Sequence, residues 1–513
     1  MSNEIRNQFS RLLSNLAESL DIPESYLERA EGRYKSLSEW LSRRESSAAT
    51  LNPEIYTQGS FRLGTVTRPL SDKDKYDIDL VCELDMSKDK SSQKDLKNLI
   101  GNEIKAYVLA NNMNHPVKEG RRCWTLNYAD GAQFHQDILP AVPDGESFTN
   151  LLKSKALSSN WSDMAIAITD NTLPNYLRLD NNWPRSNPRG YAEWFREQMK
   201  VQYDAQRMFL AKSIRANIED VPEYKVKTPL QQAVQILKRH RDIMFASNQG
   251  NKPISIIITT LAAHAYNNQS DLLEAILSIV DDMPHYIQTI SGISWVPNPV
   301  NPLENFADKW QKHPNREEHF RRWLKQVQID LQATSQSQSI QAIGELLGKS
   351  LGERTVNKSL QNMPELKPGI IASITAGASK ILSRFSVSHR QEPKWPIVEK
   401  GHVSITGYAS KQGFRRWQVN SDSQSLTKVC SLRFEAKTDI QWPYKVYWQV
   451  VNTGDEAKAA NDLRGDFYDG ITEENGRVRN EKTSYTGMHW IQCFVVKDNV
   501  CVARSKEFVV NIE

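Results

Sequence analysis

Two aspartates separated by one residue, Asp77 and Asp79, lie in the alternating run Tyr76-Asp-Ile-Asp-Leu-Val81. Side chains alternate along a strand, so the two carboxylates face one side while Ile78 and Leu80 face the other. Like charges held that close repel, and a hard divalent cation between them relieves the repulsion; Mg²⁺ takes one or two carboxylates together with substrate phosphates. The run Gln58-Gly-Ser-Phe-Arg-Leu-Gly-Thr65 stands just upstream. Gly59 permits a close backbone approach, and the turn at Ser60 offers amides and a hydroxyl to a triphosphate. A third carboxylate, Asp137 in Phe134-His-Gln-Asp-Ile-Leu-Pro140, sits among apolar neighbours, where it is costly unless partnered, as by a metal. Taken singly, an Asp-x-Asp is also a common solvated strand face and a Gly-Ser a common turn. Their conjunction is what points to chemistry on phosphate.

The elements that must position these residues can be read from periodicity. Residues 4–46 repeat apolar positions at helical spacing with Pro23 as a break, which predicts two helices. The spacing shortens to two over Gln58 to Leu84 and Arg122 to Val142, a sheet, with Asp130-Gly131 as the turn of a hairpin and a helix over Gln93 to Asn111 between. Helical periodicity then runs over Tyr191–Ile218, Pro229–Ala246, Pro253–Tyr266, Asp271–Met283, Leu303–Thr334 and Ile340–Leu351. From Trp395 the pattern alternates again, with strands over Ser431–Thr438, Tyr444–Asn452, His489–Val496 and Val500–Val510, as in a sandwich. The expected organisation is α+β: a catalytic domain over 1–190, a helical domain over 191–352, a linker over 353–395 and an all-β domain over 396–513.

Composition narrows the class. The chain has 513 residues, 39% hydrophobic and 25% charged, which is globular usage for about two to four domains and excludes collagen-like or wholly disordered chains. A net charge of +4 is too mild to mark a nucleic-acid scaffold. Five scattered cysteines fit the thiols of a reducing compartment rather than a disulfide framework. His489, Cys493 and Cys501 lack the paired spacing that announces zinc. The N-terminus has no secretion signal, and Ile254–Ala263 is about half a membrane span, so a cytoplasmic protein with no membrane segment is expected.

The run QGSFRLGTVTRP, then YDIDLVCEL and HQDILPAVP, resembles the nucleotidyltransferases of the DNA polymerase β superfamily. Within that superfamily it is similar to the bacterial CD-NTases, the cGAS/DncV-like synthases of second-messenger oligonucleotides related to oligoadenylate synthetases. The segments 182–195, 230–242 and 252–260 resemble the helical half of that family, and the likeness covers about residues 5–350. It implies a polymerase-β-like core with an oligoadenylate-synthetase-like helical half. It also implies that Asp77, Asp79 and Asp137 hold two Mg²⁺ (or Mn²⁺) ions against a triphosphate, and that Gly59 and Ser60 cradle its β and γ phosphates. Lys238 and Ser255 are further phosphate contacts by similarity; the first reads equally as a solvated helix face and the second as a helix cap. The substrates implied are nucleoside triphosphates, ATP ahead of GTP, and the product an oligonucleotide that signals to an effector in antiviral defence. The interval from Gly-Ser to Asp-x-Asp is long, so 67–75 must loop clear of the metals, as it commonly does in this family. The segment 183–191 is expected near the nucleotides.

Residues 396–513 resemble the AGS-C domain, a sensor module beside such synthases, and Arg464, Asp466, Tyr468, His489 and Trp490 are its candidate ligand contacts. Its alternating aromatics read also as sandwich core. Basic clusters at Arg121-Arg122, Lys238–Arg241, Arg321-Arg322 and Arg415-Arg416 could bind an activating RNA, though they read more simply as triphosphate-facing or solvated charges. A transferase acting on a tRNA or protein, and a sensor without synthesis, are the competing functions.

Overall fold

The computed structural model describes residues 1–70, 76–128, 134–214, 218, 223–246, 248–363, 389–391, 393–398, 400–411, 416–421, 425–453 and 455–512. The expected hairpin turn at Asp130-Gly131, part of the 67–75 loop, much of the 353–395 stretch, and Arg415 lie outside the described residues.

Seven strands form the first sheet: β1 (Glu54–Thr57), β2 (Tyr76–Glu83), β3 (Lys118–Glu119), β4 (Trp124–Asn127), β5 (Phe134–Pro143), β6 (Ile166–Ile168) and β7 (Arg185–Ser186). Their order is β1-β2-β5-β4-β3, with β6 on β5 and β7 on β6. Strand β2 follows its alternation closely: Ile78, Leu80 and Cys82 are buried in one core with Phe134 and Ile138 of β5. Two helices cover that face, α2 (Glu24–Ser42) through Ala30, Leu37 and Leu41, and α4 (Gln93–Ala110) through Leu96, Ile100 and Ile104. A Ser92–Asp95 capping box starts α4. Its Gly101 lies flat on Trp124, where a Cβ would stand 2.2 Å from the ring. Between β1 and β2, the structure replaces the expected strand start with the one-turn helix α3 (Gly59–Arg62). Gly59 begins it at φ +60°, a conformation that ends the β1 alternation.

The helical half has its own core. It is built on α6 (Pro188–Ile214), α7 (Pro229–Met244), α8 (Ser255–Ala265), α9 (Leu272–Asp282), α11 (Pro314–Ser335) and α12 (Ile340–Leu351), with α5 (Gly145–Ser154) left on the sheet side and the short α10 (Asp308–Lys312) before α11. The N-terminal helix α1 (Asn3–Leu20) belongs to this core through Phe9, Leu12, Leu13 and Leu16, so the first two helices part company and serve opposite halves. The helix expected over Leu303–Thr334 is divided: Asn301–Asn305 pairs as a strand with Pro297–Asn298, and a new helix begins at Pro314. The residue before a proline resists helical geometry, so Asn301-Pro302 and His313-Pro314 break the pattern. The stretch read as a linker opens with α13 (Glu353–Gln361), whose Val356 and Leu360 join the helical core; its small, polar outer face hides that periodicity.

The last domain is a sandwich of two antiparallel sheets, 403–410 with 417–419, 431–438 and 478–482, against 445–451 with 467–469, 487–497, 500–504 and 508–512. Leu432, Phe434, Trp448, Ile491 and Cys493 fill the space between them. The run 500–510 contains two strands, parted at 505–507, and both lie against 487–497.

Because α13 buries two aliphatic side chains and Ser359 accepts from Asn15 through its carbonyl, a chain ending at residue 352 should be less stable than one ending at 363. Burial at about 1.5–3 kcal/mol per side chain puts the loss at roughly 3–6 kcal/mol, readable by urea unfolding.

Candidate active site

Strands β2 and β5 run parallel with Asp79 directly opposite Asp137 and Asp77 opposite His135. On the far side of β5, β4 sets Thr125 opposite Asp137, and the Thr125 hydroxyl donates to Asp137 Oδ1 at 2.5 Å. The register is fixed from behind, since a slip of one residue would carry the acids into the apolar core and Ile78 and Leu80 out of it. On the same face, Tyr56, Val81, Leu139 and Ala141 form an apolar cluster at the other end of the strands.

Gly59 abuts the pair. A Cβ on it would stand 2.6 Å from Asp79 Oδ2, and its φ is +60°, so two independent constraints require glycine here. The Gln58 amide donates to the Asp79 carbonyl at 2.8 Å, which locks the turn to β2, and the Ser60 carbonyl accepts from Thr65 at 3.0 Å. The Gly-Ser turn and Asp79 are therefore one unit, as the sequence implies.

The three carboxylates share a face, yet they do not close on a single point. Asp77 turns aside to pair with His135 Nε2. Among the described residues, no three His, Cys, Asp or Glu side chains stand as a ready metal-ligand group. Burial raises the Asp79 carboxyl to about 6, and the Asp137 and Asp77 charges add to the rise. Burial likewise pushes Asp77 up, with Asp137 adding and His135 and Lys252 opposing; its side chain is 66% exposed, so solvent screens much of that rise. The donor set fits a hard divalent cation: carboxylate oxygens that repel each other at a phosphate-sized turn.

Helix α7 holds the loop that follows the turn. Lys227, just before it, donates to the Gly64 carbonyl at 3.2 Å, Gln231 to Leu63 at 3.0 Å, Lys238 to Thr65 at 3.0 Å and Gln235 to Val66 at 2.6 Å, while Arg239 donates to the Arg68 carbonyl. Lys238 is thus neither solvated nor aimed outward. It is buried, and desolvation, with the Arg241 charge, brings its ammonium down to about 7. Ser255 is the first residue of α8 rather than its cap; its hydroxyl accepts from Arg241 at 2.8 Å. Lys252 pairs with Asp242 at 3.2 Å and its charge reaches Asp77.

His135, Thr125 and Lys252 join the site only in the folded chain. Strand alternation alone puts His135 on one face with Asp137 two residues on; Thr125 and Lys252 need the folded register. The segment 183–191 does not present its rings to a cleft: Trp183 is buried in the sheet core and Tyr191 in the helical core, and Arg189 lies over the Tyr56 ring. The described members of the basic clusters are engaged within the chain, Arg121 and Arg122 by Asp170, Arg241 by Asp242, Arg321 by Glu317 and Arg416 by Glu435. In the sandwich, Arg464 is held by Glu481 at 2.7 Å and lies over Tyr468, Trp490 is buried, and both ring nitrogens of His489 meet backbone groups. Asp466 accepts from the Val450 amide through its carbonyl.

The family model described as "Cyclic GMP-AMP synthase DncV-like, nucleotidyltransferase domain" matches residues 53–140, the span that carries the Gly-Ser turn and all three aspartates. Over that span the chain is similar to the DncV-like nucleotidyltransferases. A second model, "Adenylyl/Guanylyl and SMODS C-terminal sensor domain", matches residues 385–513. The c-di-GMP synthase of Roseivirga ehrenbergii is 29% identical over 368 residues, 71% of this chain and 90% of its own. The cyclic dinucleotide synthase CdnG of Bradyrhizobium diazoefficiens is 25% identical over 363 residues, 68% of this chain and 82% of its own. The solved structure of that CdnG in complex with GTP superposes with a TM-score of 0.51 at 22% identity, covering 69% of this chain and 98% of that one, and so shares its fold. Among the described residues, no helix is long and apolar enough to cross a membrane.

Two expectations follow. Because folding favours the protonated Asp79 carboxyl, its contribution is present below about pH 4 and lost as pH rises through about 6. In EDTA at pH 8, Asp79→Asn should therefore unfold later in urea than the wild type, by on the order of 1–3 kcal/mol, and the gap should close near pH 4. Gly59→Ala, by contrast, should lose stability by about 1–2 kcal/mol in the same assay.

Proposed function

We propose that this protein joins nucleoside triphosphates into a cyclic or linear oligonucleotide second messenger. A ribose hydroxyl of one nucleotide attacks the α-phosphorus of another; a P–O bond forms, the bond to the bridging oxygen breaks, pyrophosphate leaves and the hydroxyl proton is lost. The observation that carries this reading is the unit formed by Gly59, pressed against the Asp79 carboxylate of β2, and Asp137 in register with Asp79 on β5. A glycine turn with free amides set against an acidic strand position suits a cation-bound polyphosphate.

In this reading Asp77, Asp79 and Asp137 would hold Mg²⁺, or Mn²⁺ in its place, which when bound supplies charge neutralisation for the attacking and leaving oxygens. The chain's own residues do the rest. Gly59 and Ser60 receive the β and γ phosphates, the α7 side chains keep the loop 63–68 in place behind them, and Thr125 orients Asp137. Lys238 acts through the Thr65 carbonyl. Ser255 and Lys252 lie at the start of α8 as further polar groups for phosphate. The name of the Roseivirga relative, a c-di-GMP synthase, favours GTP as a substrate, ahead of ATP. The proposal includes a cytoplasmic setting, in keeping with the free cysteines, an effector that receives the product, and a part in defence against phage.

Purified protein incubated with each labelled nucleoside triphosphate and Mg²⁺ or Mn²⁺ should yield a phosphatase-resistant small product, largest with GTP and identified by mass spectrometry. Asp79→Asn and Asp137→Asn should each lower its rate by at least about a thousandfold. Undiminished product from the double variant, or label transferred to a macromolecule, would refute the reading.

A further inference from the structure

Helix α7 does more than hold the loop 63–68. Immediately after Lys238 and Arg239, which donate to the Thr65 and Arg68 carbonyls, His240 Nε2 meets Asp330 Oδ2 of α11 at 2.9 Å. His240 is buried, and one turn earlier on α11 Gln326 donates to Asp330 Oδ1 at 2.8 Å. Gln326 then grips the backbone at the start of the sandwich: its Oε1 accepts from the Ile397 amide at 3.1 Å and its Nε2 reaches the Ile397 carbonyl at 3.4 Å. Ile397 is itself bridged to Cys501, with Val398 donating to the Cys501 carbonyl at 2.8 Å and Cys501 to the Pro396 carbonyl at 2.9 Å.

A continuous polar chain therefore runs from a strand of the sandwich, through Ile397, Gln326, Asp330 and His240, to the helix that positions the phosphate-facing loop. Gln326 meets Ile397 through Oε1 and Asp330 through Nε2, and Asp330 meets Gln326 through Oδ1 and His240 through Oδ2, so a shift of either residue loosens its neighbour. We propose that Gln326 is a positioning residue for the nucleotidyl transfer: through Asp330 and His240 it sets α7, and so the loop 63–68, according to how the sandwich sits on α11. This rests on the function proposed above for the Gly-Ser turn. It gives the C-terminal domain a physical route to the active site, because whatever moves 396–398 releases the amide of Gln326 from Asp330.

The test uses the full chain and two readouts. Amide hydrogen exchange over 63–70 should rise at least threefold in Gln326→Ala, and kcat/KM for nucleoside triphosphate should fall at least fivefold, while urea unfolding of the sandwich stays within error of wild type. Asp330→Ala should reproduce both changes, and combining the two substitutions should add little. Exchange over 63–70 that matches wild type in Gln326→Ala, whatever happens over 396–402, would overturn the proposal, as would full additivity of the two variants. If the wild type makes no oligonucleotide, the proposed reaction fails, but the exchange measurement still decides whether Gln326 positions the loop.

Discussion

Two carboxylates facing each other on adjacent parallel strands, Asp79 and Asp137, are the constraint around which the nucleotidyltransferase half is built. Like charges on residues directly opposite each other in adjacent strands repel and destabilise the pairing. The fold offsets this from behind. Ile78, Leu80, Phe134 and Ile138 are sealed under α2 and α4, so the strands cannot slide or part to separate the acids. Burial, with the remaining repulsion added to it, raises the Asp79 carboxyl, and Asp77 pairs with His135. In the proposed reaction, a divalent cation bound there would remove the cost of holding these acids together.

The second half exists in part to steady the first. A loop at the surface would leave its carbonyls to water; here those of Leu63, Gly64, Thr65, Val66 and Arg68 all accept from Lys227 and α7. The arrangement explains why α7 is buried along nearly its whole length while carrying so many polar residues, Gln231, Gln235, Lys238 and Arg239 among them. Their partners are backbone groups of the other half, which satisfies buried donors and fixes the two cores against each other. Separation of α1 from α2 has the same effect, since the chain is anchored in both cores before it reaches β1.

Much of this was legible in the sequence. The period of two around Asp77 and Asp79 set both carboxylates on one face, and the apolar partners Ile78 and Leu80 on the other. The helices of the bundle, apart from the divided stretch 303–334, and the strand 431–438 likewise follow their periodicity closely. What could not be read depends on register and on packing between distant segments. Thr125 meets Asp137 only because β4 pairs with β5. Lys238 reads as a surface lysine until the loop carbonyl arrives to accept from it. Trp183 and Tyr191 look like ligand-facing rings beside an active-site motif, yet burial in two different cores stabilises them more than exposure in a cleft would. The helix α13 escaped because its apolar positions are few, and the break at Pro314 was overridden by the long periodic run around it.

The account rests on the acids of β2 and β5 sharing a cation. Titrating Mn²⁺ into the protein at pH 6 in the presence of a non-hydrolysable nucleoside triphosphate, with bound metal followed by electron paramagnetic resonance and protons released followed by a pH-stat, tests this directly. Tight binding with release of up to one proton per site, both lost in Asp79→Asn and in Asp137→Asn, is the predicted result. Binding of equal strength in those variants, or binding without proton release, would contradict it.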